Sequence, residues 1–363
     1  MKTFYRVALI AFLFCKAHTG HSQQAENIII ITTDGFRWQE VFTGMDSSIA
    51  NNQKFNQGDS DYIFRKYWSN DATERRKKLL PFLWSAISAN GQIYGNRNYD
   101  NKVNNANPYW FSYPGYSELM TGYPDTAINS NEYPANPHVT VLEYLNQQPK
   151  FKNKVVAFGA WSAFDRILNE QRSKIPVYSA FDTLKGPGLT STERLLNVML
   201  QNSYRPFGDG ECLDVFTHYM AMDYFHTKKP KILYIAYGET DEWAHAGNYK
   251  SYLDAAHQVD AWIKDLWNTI QQLPSYKNKT AILFTVDHGR GINEKWTSHN
   301  NTIEHSNETW FALMGPGIAA KGEIKNNGQF YQQQLAQSIT RILGLIYKPN
   351  HKIASAINEV FIK

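Results

Sequence analysis

Short apolar runs that end in polar, chemically capable residues constrain this chain more than any other feature. Residues 28–33 run into Asp34, 155–158 into Gly159, and 232–237 into Gly238-Glu239-Thr240-Asp241. Residues 281–286 run into Asp287-His288-Gly289, and 311–314 into Gly315-Pro316-Gly317. Runs that are apolar throughout, rather than alternating, belong to strands buried on both faces. Helical spacing fills the intervals. Leu253, Ala256, Val259, Ile263, Leu266, Ile270 and Leu273 repeat at steps of three and four, and Pro274 stops the pattern. Weaker patterns cover 79–89, 139–146, 192–201 and 331–345. Strands alternating with helices predict an α/β fold, a mostly parallel central sheet with helices on both faces. Ligands of such sheets gather beyond the carboxyl ends of the strands.

Composition narrows the function. The chain has 363 residues, 42% of them apolar and 14% aromatic, which excludes a disordered or low-complexity protein. The net charge is +4, but Lys2, Arg6 and Lys16 lie in an acid-free stretch, residues 1–22, so the remainder carries only 4 − 3 = +1. That is no footprint for nucleic acid. The one dense basic run, Arg75 to Lys78, reads as a solvated helix face. Residues 1–22 read as a secretory signal peptide: a basic start, an apolar stretch from Val7 to Cys15 too short to span a bilayer, and small residues Gly20 and Ser22 before a cut at Gln23. The expected mature chain, 23–363, is periplasmic or secreted, without a membrane span. It retains one cysteine, Cys212, read as a buried core thiol. Residues 42–78 are polar with little periodicity and read as a surface insertion, either a lid or a passive excursion.

The chemistry lies at the strand ends. Asp34, Asp241, His245, Asp287, His288 and His299 offer the carboxylate oxygens and imidazole nitrogens that hold divalent metals. Asp241 and His245 are four apart, so one helical turn puts both side chains on one face. Taken singly, an Asp after a strand is a helix cap or turn former. Three such ends, two of them with His, are hard to obtain by capping alone.

Together these motifs resemble the alkaline phosphatase superfamily. Thr32-Thr33-Asp34-Gly35-Phe36-Arg37 looks like its first metal-ligand strand, Asp241-Glu242-Trp243-Ala244-His245 like its Asp-x-x-x-His motif, and Val286-Asp287-His288-Gly289 like its Asp-His-Gly motif. Their order and spacing resemble the type I phosphodiesterase/nucleotide pyrophosphatase branch. The resemblance implies a three-layer alkaline phosphatase-like sandwich from Asn27 to the C-terminus and two divalent metal ions, with zinc expected. One ion would be held by Asp241, His245 and His299, the other by Asp34, Asp287 and His288. His305 rivals His299, whose spacing from Gly315-Pro316 fits the branch better.

The nucleophile is expected at a helix start within Phe111-Ser112-Tyr113-Pro114-Gly115-Tyr116-Ser117-Glu118-Leu119-Met120-Thr121-Gly122. Counting back from Thr121-Gly122 selects Ser112, lying between the metals, over Ser117. Asn131 is the expected donor to a phosphate oxygen, with a turn role as its rival. The chain lacks the Cys/Ser-x-Pro-x-Arg motif of sulfatases and an Arg beside Ser112, so the expected substrate is a small phosphodiester or nucleotide pyrophosphate. A phosphomonoesterase or phosphotransferase of the same superfamily is the alternative, and a non-catalytic metal-binding protein the next. Arg37 and Arg290 are the arginines close enough in sequence to face a monoester. Tyr109, Trp110, Trp161 and Phe164 are the aromatic candidates for the substrate wall, with a core-filling role as the favoured reading.

Overall fold

Eight strands align in the order β10-β2-β9-β7-β1-β6-β4-β5, built from β1 (Asn27–Thr33), β2 (Gly91–Tyr94), β4 (Val155–Gly159), β5 (Val177–Ser179), β6 (Ile232–Tyr237), β7 (Thr280–Val286), β9 (Phe311–Met314) and β10 (Gly322–Glu323). Of these, β9 alone runs against its neighbours. A second sheet of three short strands joins β3 (Asn101–Asn104), β8 (Glu308–Thr309) and β11 (Gly328–Tyr331). The computed structural model describes residues 24–362, so the expected signal peptide lies outside the described residues. Among those described, no helix is long and apolar enough to cross a membrane.

The five apolar runs all enter the large sheet, and the reason is visible in β1. Ile29 and Ile31 face a core shared with Leu253, Val259, Ile263 and Leu266 of the long helix Tyr249–Gln272. Ile28 and Ile30 face the opposite core, with Tyr113, Tyr116, Leu119 and Met120 of the helix Ser112–Thr121 and Ile339 of the helix Leu335–Ile342. A strand buried on both faces has no polar side to show, and helices on both faces make the three layers. The central trio β7-β1-β6 is parallel and in register: Thr33 lies level with Tyr237 on one side and Val286 on the other. Asp34, Gly238 and Asp287 therefore leave the sheet side by side.

Residues 42–78 are more regular than their composition suggests. They contain the helices Ser47–Asn51, Gln53–Asn56, Ser60–Tyr67 and Ala72–Leu79. Several of the polar residues are N-caps: Asp46, Asn52 and Asp71 accept from the N–H groups of Ser48, Lys54 and Thr73. Ile49, Phe55, Ile63 and Tyr67 join the core, and helices this short escape a periodicity scan. The basic run is also less solvated than expected. Arg75 donates to the Thr43 and Ser69 carbonyls, and Arg76 pairs with Glu323 over the Trp84 ring. Cys212 is buried.

One buried carboxylate ties two segments of the same layer together. Asp260, on the long helix, accepts from the backbone N–H groups of Phe82 at 2.6 Å and Leu83 at 2.8 Å. Burial pushes its carboxyl up to about 7, against those two bonds. Asp260→Ala is expected to cost about 1–3 kcal/mol for the N–H groups left unpaired. The folded carboxyl keeps its proton up to about pH 7, whereas the unfolded one releases it near 3.8. The unfolded state therefore gains on the native one as pH rises through that window. Urea unfolding at several pH values should show the wild-type advantage over Asp260→Ala shrinking between pH 4 and pH 7.

Candidate metal centre

Three strand ends converge. Asp34 follows β1, and its backbone N–H donates to the Tyr237 carbonyl of β6 at 2.9 Å. Gly35 has φ of 56°, and a Cβ there would sit 2.5 Å from Asp241 Oδ1, so only glycine lets β1 and the Asp241 helix close on one another. The Gly35 N–H donates to Asp287 Oδ1 at 3.1 Å. Asp241 and His245 share the helix Glu239–His245 one turn apart, with His245 Nε2 3.0 Å from Asp241 Oδ2. His288 follows Asp287, and its Nδ1 donates to the Gly289 carbonyl at 2.8 Å, which turns Nε2 toward the carboxylates.

Around that Nε2 lie Asp34 Oδ1 at 3.1 Å, Asp287 Oδ2 at 3.4 Å and Asp241 Oδ1 at 3.9 Å. Two compact donor sets result: Asp34, Asp287 and His288, and Asp241, His288 and His299. His245 completes the second from its rim, with its Nε2 2.9 Å from that of His299. His299 Nε2 is 3.6 Å from Asp241 Oδ1, and its ring stacks on His288 at 4.0 Å. His305 is not part of this cluster; its Nδ1 pairs with Glu308 at 3.0 Å.

The electrostatics fit a cation. Burial holds the Asp287 carboxyl well above its ordinary value, and the Asp34 charge adds to it. Burial, and then Asp241, raise Asp34 as well. Asp241 is the exception: burial pushes it up, but Arg290, His245 and His299 together hold it well below the usual carboxylate range. Burial opposes charge on His288, yet Asp287 and Asp34 lift it to about 9, the mark of a strongly negative surrounding. Burial and the His288 charge depress His299. Asp287 Oδ2 is buried with no hydrogen-bond donor. An orphaned carboxylate oxygen, facing imidazole nitrogens and clustered acids are the donor chemistry of a divalent metal site.

Ser112 opens the helix Ser112–Thr121, with its Oγ 3.3 Å from His288 Nε2 and 3.5 Å from Asp34 Oδ1. Ser117 lies elsewhere, its Oγ accepting from Asn136 Nδ2 at 3.0 Å. Asn131 reaches the same helix start: its Oδ1 accepts from the Tyr113 N–H at 3.0 Å. Of the expected wall residues, Phe164 is buried against Tyr116 at 4.8 Å, whereas Tyr109, Trp110 and Trp161 are partly exposed. Arg37 and Arg290 are fully buried and engaged. Arg37 binds Glu40 and the Gly291 carbonyl. Arg290 binds Asp241 and the carbonyls of Trp296 and Thr297.

Several supporting residues escaped the sequence reading. The Tyr116 hydroxyl donates to Asp34 Oδ2 at 3.1 Å and the Thr240 hydroxyl to the Asp34 carbonyl at 2.5 Å. Tyr116 stands four residues after Ser112, a helical spacing that was there to be used. Glu118 is the least expected. Fully buried, it accepts from the N–H groups of Ala106, Asn107 and Gln333 and from Asn107 Nδ2, all between 2.8 and 3.0 Å. Asn107 Oδ1 in turn accepts from the Tyr109 and Trp110 N–H groups, holding Trp110 at φ of 55° just before Ser112.

Residues 217–344 match the family model of the Metalloenzyme superfamily, a span that includes Asp241, His245, Asp287, His288 and His299. The fold is that of the alkaline phosphatase-like metalloenzymes. The crystal structure of the alkaline phosphatase PafA superposes with a TM-score of 0.59 at 11% identity, covering 93% of this chain and 99% of that one. BT1596, a 2-O GAG sulfatase, gives 0.57 at 14%, covering 92% and 73%. The lipoteichoic acid synthase LtaP from Listeria monocytogenes gives 0.50 at 12%, covering 90% and 73%. No curated protein matches the sequence. The fold is thus the expected one, the family model matches the segment that carries five of the six expected ligands, and neither comparison specifies a branch.

Glu118→Ala removes the acceptor for four donors beneath the Ser112 loop. It is expected to destabilise the protein by at least about 2 kcal/mol, read from the midpoint of urea unfolding. Ser117→Ala, which frees one donor, should cost about 1 kcal/mol.

Proposed function

We propose that this chain is an exported two-metal phosphohydrolase that cleaves phosphodiesters through Ser112. The observation that carries the reading is Ser112 Oγ within 3.3 Å of His288 Nε2 and 3.5 Å of Asp34 Oδ1, on the first residue of a helix. Asp34, Asp287 and His288 would hold one divalent ion and Asp241, His245 and His299 the other, zinc being the expected metal. Bound there, the ions would lower the hydroxyl's pKa and neutralise phosphate oxygens.

The chain's own residues supply the rest. Ser112 Oγ attacks phosphorus as the ester P–O bond breaks, and the departing alcohol takes up a proton. Water then cleaves the Oγ–P bond, releasing a phosphomonoester and restoring the serine. The N–H groups of the helix start favour the anion. Asn131, anchored through Oδ1, keeps its Nδ2 for a phosphate oxygen.

Diesters are favoured over monoesters because the arginines are spent. The second negative charge of a monoester needs a cationic side chain. Arg37 is paired with Glu40 and Arg290 with Asp241. Arg166 is turned onto the carbonyls of Tyr133 and Asn131. The sulfatase neighbour does not redirect the reading, since the Cys/Ser-x-Pro-x-Arg motif is missing.

Metal analysis after zinc supplementation should find two equivalents per chain; less than one would sink the two-ion arrangement. Ser112→Ala should abolish release of nitrophenol from bis-nitrophenyl phosphate while retaining metal and fold. Activity lost in Ser117→Ala instead would move the nucleophile. Matched nitrophenyl esters should show kcat/KM higher for the diester, and a monoester preference of about tenfold, ~1.4 kcal/mol, would make the protein a phosphomonoesterase.

A further inference from the structure

An open groove of about 510 Å³ lies beside the metal centre, large enough for a small-molecule arm. His299 and Asn131 belong both to its lining and to the site, and Phe111, next to Ser112, forms part of its wall. The other lining residues are amides and hydroxyls: Asn129, Asn300 and Asn301, with Ser130 and Thr302. No lysine, arginine, aspartate or glutamate lines it.

The amides here differ from the buried amides of the fold. The Nδ2 groups of Asn105, Asn107 and Asn136 are all committed to internal hydrogen bonds. Those of Asn129, Asn131, Asn300 and Asn301 have no partner among the described residues. Two are held from behind. Asn131 Oδ1 accepts from the Tyr113 N–H, and Asn300 Oδ1 accepts from both the N–H and the hydroxyl of Thr302, at 2.8 and 2.6 Å. The orientation of each is fixed while its donor is left for another molecule.

Resting on the phosphodiesterase reading, we propose that this groove takes a neutral, hydroxyl-rich alcohol, a glycerol or sugar unit, as one arm of the diester. A primary amide carries both donor and acceptor, and so does a hydroxyl, so a row of amides matches a polyol. Additional phosphates, as in a nucleoside triphosphate, would enter a groove with no cation to receive them. A plain alkyl arm would leave the amide donors unmatched, and sites built to bond a hydroxyl discriminate against analogues lacking it. The Phe111 ring offers a C–H-bearing sugar face an apolar surface.

The test uses the zinc-supplemented protein and three 4-nitrophenyl phosphodiesters that share a leaving group and differ in the second arm: glycerol, methyl, or thymidine through its 5′ oxygen. The glycerol ester should exceed the methyl ester in kcat/KM by at least about fivefold and exceed the thymidine ester. The double variant Asn129→Leu/Asn301→Leu should bring the glycerol-to-methyl ratio close to one. A smaller preference in the wild type, a ratio untouched by the double variant, or a thymidine ester that is best would each overturn the proposal. Turnover of bis-nitrophenyl phosphate separates the two failures. If it persists while the ratio is flat, the groove assignment alone is wrong; if no diester is cleaved, the underlying reading falls and the groove assignment falls with it.

Discussion

Three carboxylates brought together at one end of a sheet are the constraint on which the rest of this structure depends. Parallel register of β7, β1 and β6 places Asp34, Asp287 and the Asp241 helix side by side. Like charges this close repel strongly where water is scarce. The fold meets that repulsion with whatever donors it has: Arg290 on Asp241, the Gly35 N–H on Asp287 and Tyr116 on Asp34. Asp287 Oδ2 still lacks a partner. A protein that keeps such a centre gives up stability locally, and a ligand that binds only the folded form can return it.

The same constraint shapes the neighbourhood. A helix must deliver Ser112 to the strand ends without filling the space between them. Gly115 allows this, because a Cβ there would lie 2.5 Å from the Asp287 carbonyl oxygen. The loop before the helix is then pinned from below by Glu118 through Asn107, which keeps Trp110 in a left-handed conformation that a bulky residue disfavours. Buried polar groups stabilise when fully satisfied, and here the satisfied carboxylate holds the loop that leads into Ser112.

Much of this was legible in the sequence because strand ends are local. An apolar run that stops at Asp or Asp-His states both where a strand ends and what it presents, and the amphipathic stripe from Tyr249 to Gln272 states which face is covered. The helix Asp214–Lys228 was missed for the opposite reason: Phe216, Tyr219, Met220, Met222, Tyr224 and Phe225 spread around its circumference and leave no polar stripe to reveal a period. The segment 42–78 looked irregular because its helices are one or two turns long and its Asn and Asp residues are caps. Glu118 was invisible because its partners, in 106–107 and at Gln333, are set by the tertiary fold. The commitments of Arg37 and Arg290 were likewise beyond sequence spacing, which brought both near the site without saying which way they face.

The two donor sets are unequal in a way that orders the proposed reaction. His288 belongs to both, but Ser112 Oγ approaches only Asp34 and His288, on the deeply buried side. Asp241, His245 and His299 lie on the side that opens outward, where His245 is exposed and His299 borders the groove. Attack in line requires the leaving oxygen to depart opposite the nucleophile. Ser112 lies on the closed side, while His299 and the amides of the groove that would take the second arm lie on the open one. Burial on one side and exposure on the other therefore give direction to a centre whose ligands, taken as residue types alone, are nearly symmetric.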